Sequence, residues 1–180
     1  MSQLKVDSII PRGGLASGTQ GGIIQMKYTP VRSVISNSTS ESGNHVSAFD
    51  TSITPLSNNS RIIIHCCFGA VSSSGGNTVG FMIRRGSSVI DDLRGDADSN
   101  RSRYTARGAT TWNADQNHCH SYSINVMDHP STTSAVTYSL YVAVESNGTV
   151  YFNRNRYNGS GGTPIYSRVM SSMLCMEVSG

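Results

Sequence analysis

Two histidines two residues apart, His118-Cys-His120, would share one face of an extended strand, a geometry that a metal ion can use. Asp115, Asp128 and His129 lie close in sequence. A tetrahedral zinc site normally shows a second ligand pair at a recognisable spacing, and this chain offers none. His118 and His120 are therefore only weak metal candidates, expected instead as polar residues at a loop or subunit seam. His65 precedes Cys66, as if to activate a thiol, but Cys66 sits inside an apolar run where burial raises a thiol pKa rather than lowering it. The serines form no Gly-x-Ser-x-Gly elbow. The glycine pairs Gly13-Gly14, Gly75-Gly76 and Gly161-Gly162 lack the lysine and following helix of a phosphate loop. No cofactor is expected.

Carboxylates gather in Asp91-Asp-Leu-Arg-Gly-Asp-Ala-Asp98, with Arg94 among them. Calcium in an oxygen-lined loop is conceivable, but the flanking helices of an EF-hand are missing, so a solvated loop with local ion pairs is expected. Arg101 and Arg103 follow; alternation places both guanidinium groups on one face of a strand. With Arg107 they would meet carboxylates across a subunit interface or, as the lesser expectation, face a ligand. Trp112, Asn113 and Tyr157 sit in loops where aromatic rings flanked by Asn and Asp suit sugar stacking and hydrogen bonding. A polysaccharide hydrolase would need paired carboxylates at a groove. Glu145 and Glu177 stand at strand ends without evident partners, so the chain is expected not to be an enzyme.

The composition is compatible with that view. The 180 residues suit one domain with an extension, and only 14% are charged, for a net +3. That charge is too small to point to nucleic acid as the main partner. Twelve arginines accompany two lysines, Lys5 and Lys27. Arginine's planar fork suits buried or interfacial pairing, so the surface is expected to be polar and uncharged, or to be an interface. No segment approaches the roughly 20 apolar residues that span a bilayer, and no basic region leads into an apolar run, so no signal peptide is expected. Cys66, Cys67, Cys119 and Cys175 are expected mostly as buried free thiols, Cys66 and Cys67 pointing to opposite faces.

The elements that must hold these residues are strands. Val136, Tyr138, Leu140, Val142 and Val144 form one apolar face of an Ala135–Val144 strand. Glu145-Ser-Asn-Gly-Thr149 carries an Asn-Gly turn, and Thr149–Arg154 is expected to return as its hairpin partner. Arg61–Val71 is apolar on both faces, as in a strand covered on both sides. Thr78–Arg85 and the Gly86-Ser87 tip make a second hairpin. Further strands are expected at 23–29, 45–53, 101–106, 118–127 and 169–178, with 36–44, 57–60, 91–100, 129–134 and 158–164 as turn-rich stretches. Nine or ten strands without helices predict an all-β jelly-roll sandwich. An immunoglobulin-like sandwich ranks second, because Trp112 lies in a polar context without the cysteine pair of that fold.

Residues 1–22 stand apart from this domain of residues 23–180. Leu4, Val6, Ile9, Ile10, Pro11 and Leu15 are too few to build a core, and the segment is rich in glycine. It is expected to be an extended arm that becomes ordered by docking, or else a frayed end. The stretch Leu4-Lys-Val-Asp-Ser-Ile-Ile-Pro-Arg-Gly-Gly-Leu-Ala-Ser-Gly18, then Gly21-Gly-Ile-Ile-Gln25, resembles the start of many virion proteins of tailed phages, especially phages of marine cyanobacteria and other marine bacteria. Phe81–Gly86, Gly95–Arg101, Asp128–Tyr138, Thr149–Arg154 and Met173–Val178 extend the likeness along the chain. The resemblance implies a non-enzymatic virion structural protein, made in the host cytoplasm. It implies an arm fastened to other virion proteins and a complement/tumour-necrosis-factor-like jelly roll that forms a homotrimer. A short tail fibre or spike is expected, with host-surface glycan or receptor as a partner; a capsid decoration (cement) protein is the alternative. Neither nucleic acid nor membrane insertion is implied.

Overall fold

The computed structural model describes residues 22–74, 78–109, 118–144 and 147–179. The attachment-arm candidates Leu4, Val6, Ile9, Ile10, Pro11 and Leu15, and the loop residues Trp112 and Asn113, lie outside the described residues. Within them the chain runs β1 (Ile23–Val31), β2 (Ile35–Thr39), β3 (Asn44–Ile53), β4 (Arg61–Ser73), β5 (Thr78–Arg85), β6 (Ser88–Val89), β7 (Ala106–Ala109), β8 (His120–Asp128), β9 (Val136–Val144), β10 (Gly148–Phe152) and β11 (Ser171–Val178). Short 3-10 turns occur at Asp91–Leu93 and Pro164–Tyr166.

The first sheet is ordered β1-β11-β4-β8, with the β2-β10 pair continuing along the far end of β4. The second is ordered β3-β9-β5, with β6 and β7 pairing with β5. Every pairing is antiparallel. From β3 to β5 the chain passes from the second sheet to the first and back, which makes the two-layer jelly roll expected from the strand-rich sequence.

The inner faces meet around four phenylalanines, two from each sheet. Phe68 (β4) stacks on Phe81 (β5) at 5.0 Å between ring centroids, and meets Phe49 (β3) edge-on at 5.4 Å and Phe152 (β10) at 5.5 Å. Tilted and edge-on rings at such spacings add to their area burial. At one end of the sandwich Arg85 of β5 grips Asp128 of β8 with two nitrogens, Nε at 2.7 Å and Nη2 at 2.8 Å, and the Tyr138 hydroxyl donates to the same carboxylate at 2.7 Å. Burial opposes the Asp128 charge, but these bonds override it and hold the carboxyl below its ordinary range. The buried Glu177 behaves alike: burial raises it, while side-chain and backbone hydrogen bonds, Gln25 and the Leu56 and Ser57 amides among them, bring it down.

β10 and β11 are one strand line interrupted by residues 153–170. Val150–Phe152 pairs with Ser73–Val71, and Ser172–Val178 with Cys67–Arg61. Asn153 sits in the break with φ +64°, a left-handed backbone that Asn tolerates better than most residues. Its amide nitrogen donates to Val31 O (2.7 Å) and Ser33 O (2.9 Å), and its carbonyl accepts from Ser171 Oγ (2.6 Å). One buried side chain thus closes the gaps β1/β2 and β10/β11 together.

Four expectations are corrected. β9 and β10 are not a hairpin: β9 pairs with β3 and β5, whereas β10 pairs with β2 and β4, so the chain changes sheets between Val144 and Gly148. β4 is buried on one face alone, through Ile62, Ile64, Cys66 and Phe68, while Ile63 and His65 are half-buried and Cys67 is exposed. Residues 101–105 are not a strand; β7 starts at Ala106. The turn-rich reading of 36–44 missed β2, a strand of almost wholly polar residues. The Gly86-Ser87 hairpin forms, with Arg84 opposite Val89 and Gly86 at φ +54°.

Candidate functional site

Three regions carry side chains that the fold does not consume: the outer face of each sheet, and the excursion between β10 and β11. On the first sheet, alternation turns Met26, Met176, Ile63 and Met127 outward. They are cross-strand neighbours, so they form one row from β1 through β11 and β4 to β8. The next row is Tyr28, Leu174, His65 and Asn125. Met26 is 61% exposed, Tyr28 55% and Met127 48%. Ile23 and Ile24 border the face at one end, and Val169 and Met170 are exposed beyond Gly69. Gly69 has no side chain because the Val169–Met170 backbone crosses over it, where a Cβ would overlap Met170 O.

The second sheet's outer face is polar. Tyr141 lies between Arg84, whose Cζ is 4.0 Å from the ring centroid, and His45, stacked at 5.1 Å and held by Asp50 through a 2.7 Å hydrogen bond. Ser52 and Thr137 bond to each other at 2.7 Å. Toward β7 this face is hollowed by a cleft of about 450 Å³. Gly80 and Ala143 make a low floor, and Thr78, Ser102, Tyr104, Arg101, Arg107 and Glu41 surround it. The Tyr104 ring lies directly on Gly80, where a Cβ would come within 2.5 Å of it. Glycine within a strand marks such a close approach.

The three predicted interface arginines do not act together. Arg103 turns away to donate to Gly95 O (2.5 Å) and Asp91 (3.0 Å). Arg101 pairs with Asp98 at 3.1 Å, its side chain 79% exposed at the cleft rim. Arg107 lines the cleft and donates to Thr78 Oγ1 at 3.3 Å. The shared face expected for Arg101 and Arg103 fails because this segment is a loop.

The acidic loop keeps its charges locally. Asp91 bonds Arg94 and Arg103, and the hydrogen bond from Arg94 is the main reason its carboxyl sits below the usual range. Among the described residues no group of three metal-ligating side chains assembles. His120 stands at the start of β8 and Asp128 at its end, so Asp128, already gripped by Arg85, is not beside the histidines. All four cysteines are free: burial raises the Cys66 thiol and pushes Cys175 up to about 12, while Cys67 and Cys119 are exposed.

The excursion is rooted by Arg154, buried on the Tyr151 ring at 4.1 Å and donating to Ser36 Oγ, Asn155 O and Arg156 O. Tyr157 is 55% exposed at its outer part, 5.9 Å from the Tyr166 ring. Arg168 donates to Asn158 Oδ1 at 2.6 Å. No described helix is long and apolar enough to cross a membrane.

The cleft floor and the apolar rows are what reading the sequence missed. Gly80 between Val79 and Phe81 was a signal for the first. The alternation of Met173 to Val178 held one for the second.

No protein-family profile matches the chain, and no curated protein sequence does. Among solved structures it is similar to VP2 of infectious bursal disease virus. For a mutant VP2 in derived T=1 particles the TM-score is 0.35 at 10% identity, covering 97% of this chain and 40% of that one. For VP2 of the Gt strain the TM-score is 0.38 at 13% identity, covering 94% and 44%. For a VP2 subviral particle it is 0.37 at 12% identity, with the same coverage. The chain spans less than half the length of these proteins.

Proposed function

We propose that the chain is a non-enzymatic structural subunit of a virion, of the tailed-phage kind. In this reading it assembles as a homotrimer through the outer face of its first sheet. Residues 1–22 fasten it to other virion proteins, and the second sheet and the loops face the host surface. The observation that carries the reading is the Met26–Met176–Ile63–Met127 row with Tyr28 and Leu174 beside it. Contiguous apolar patches on soluble chains mark interaction surfaces, and in a closed three-fold ring each copy would turn this face toward the axis and against its two neighbours. The count of three and the virion setting rest on the sequence resemblance. The non-enzymatic reading is supported by Asp91, Asp98, Asp128 and Glu177, each committed to an arginine or to structural hydrogen bonds.

Light scattering of the full chain at micromolar concentration is expected to give three times the subunit mass; a stable monomer overturns the assembly. Deleting residues 1–22 is expected to leave the trimer intact while abolishing incorporation into particles. Antibody labelling of particles is expected at the tail, and labelling over the head would reassign the subunit as a decoration protein. Release of reducing sugars from host polysaccharide would overturn the non-enzymatic reading.

A further inference from the structure

We propose that the cleft on the second sheet binds a sugar that carries a carboxylate, a uronic- or sialic-acid-type unit. The inference rests on the host-surface reading above and moves its contact point from Trp112 and Tyr157 to the cleft. The volume of about 450 Å³ falls in the range of small-ligand sites, about 300–1,000 Å³. The site is built rather than incidental. A glycine in the middle of β5 leaves room for the Tyr104 ring to lie against the strand and form an apolar wall of the cleft. Thr105, the next residue, fixes that wall: its N–H donates to Phe81 O at 2.9 Å and its hydroxyl accepts from the Ile83 N–H at 3.0 Å.

The charges select the ligand. Arg84 on the same face is taken by Tyr141 and Arg101 by Asp98, but Arg107 has no carboxylate partner among the described residues. Its planar fork matches a carboxylate through two parallel hydrogen bonds. Glu41 on another wall repels a compact dianion such as phosphate or sulfate, yet accepts readily from hydroxyls. A neutral sugar would leave Arg107 without a counter-charge. A unit bearing one carboxylate and several hydroxyls satisfies both walls, with Thr78 and Ser102 as further hydroxyl partners.

The test is ligand-observed NMR titration of the full chain with galacturonate, glucuronate and N-acetylneuraminate, their methyl esters, galactose and inorganic phosphate. At least one acidic sugar is expected to bind saturably, its methyl ester at least tenfold more weakly, and galactose and phosphate more weakly still. Arg107→Gln, a change at an exposed side chain, is expected to weaken that binding at least tenfold. Gly80→Ala, which displaces Tyr104, is expected to do the same, while Trp112→Ala retains it. No binding by any acidic sugar, equal binding by Arg107→Gln, or phosphate binding as tightly as the sugar overturns the assignment. Adsorption to host cells is read separately. Cells that retain the wild type and Arg107→Gln equally overturn the cleft while leaving host binding in place, and cells that retain neither overturn host binding itself.

Discussion

The two outer faces of this sandwich are made by the same alternation and are chemically opposite. The first sheet turns out methionine, isoleucine, leucine and tyrosine beside His65 and Asn125; the second turns out arginine, histidine, serine and threonine beside Val89, with one tyrosine held between two cationic or aromatic neighbours. An antiparallel sheet with one solvated face normally shows apolar-in, polar-out alternation. The second sheet obeys that rule and the first breaks it, though both share one core. The core does not require Met26 or Met127 outside, and the proposed assembly supplies a reason for their placement.

The contrast exists only while the shared inner layer holds, so the largest effect is expected there. Phe68→Ala removes a fully buried ring that touches Phe49, Phe81 and Phe152. A cost of about 3–5 kcal/mol is expected, read as a lowered denaturation midpoint. Both outer faces should lose their properties together; losing only one would mean that the sheets fold independently.

The second effect is the strut between sheets. Asp128→Asn leaves Arg85 without its counter-charge. Since the Arg85 side chain is 38% exposed, about 2 kcal/mol is expected rather than the full cost of breaking a buried pair. Because the folded carboxyl titrates below its ordinary value of about 3.9, its contribution is complete above that pH and declines as pH falls through the folded value. Urea titrations between about pH 2 and 7 should therefore show a steeper acid loss for wild type than for Asp128→Asn. Parallel curves would assign the acid sensitivity to other carboxylates, Glu177 first.

How legible these features were in the sequence follows the same division. Inner faces were readable wherever large apolar residues recur every second position, as in Val136 to Val144 or Ile62 to Phe68. The outer face of the first sheet was misread because Ile63 and Cys67, apolar between apolar neighbours, look like a strand covered on both sides, whereas within the chain they are half-buried and exposed. β2 was invisible for the opposite reason, since Ile35-Ser-Asn-Ser-Thr39 has little apolar signal and is ordered by its pairing with β10. The Asn147-Gly148 pair was a hairpin signal, and the hairpin does not form, because a local turn motif does not specify the strand partner. β10 buries Val150 and Phe152, and long-range packing places it beside β2 and β4. Of Arg101, Arg103 and Arg107, which alternation in the sequence grouped together, Arg101 and Arg107 line the cleft. Only the loop geometry separated Arg107 from Arg103.

A matched pair of charges compares the outer faces directly. Met26→Glu places a carboxylate in the apolar row, and Ser52→Glu places one at an exposed position on the second sheet. Each is expected to change subunit stability by about 0.5 kcal/mol or less, as for most surface changes. Met26→Glu is expected to weaken self-association at least about 100-fold, near 2.7 kcal/mol, because it buries an unpaired charge. Ser52→Glu should leave association as in wild type. Equal behaviour in sedimentation equilibrium would break the contrast.

The smallest effect tests how the second face holds a large, half-buried ring. Tyr141 is neighboured by Met82 across the strand pair, covered by Arg84 above and flanked by His45, which Asp50 holds in place. A guanidinium over a ring at an exposed site contributes about 0.5–1 kcal/mol, drawn from the ring's negative face rather than from its hydroxyl. Tyr141→Phe keeps that face and should be neutral within about 0.3 kcal/mol, whereas Tyr141→Leu keeps apolar bulk, loses the face and should cost about 1 kcal/mol. The two sheets then differ in kind: Tyr28 on the first face has no cation over its ring among the described residues, so Tyr28→Leu should leave subunit stability unchanged. If Tyr141→Leu is also neutral, stacking contributes nothing there, and the second face is ordered by strand pairing alone.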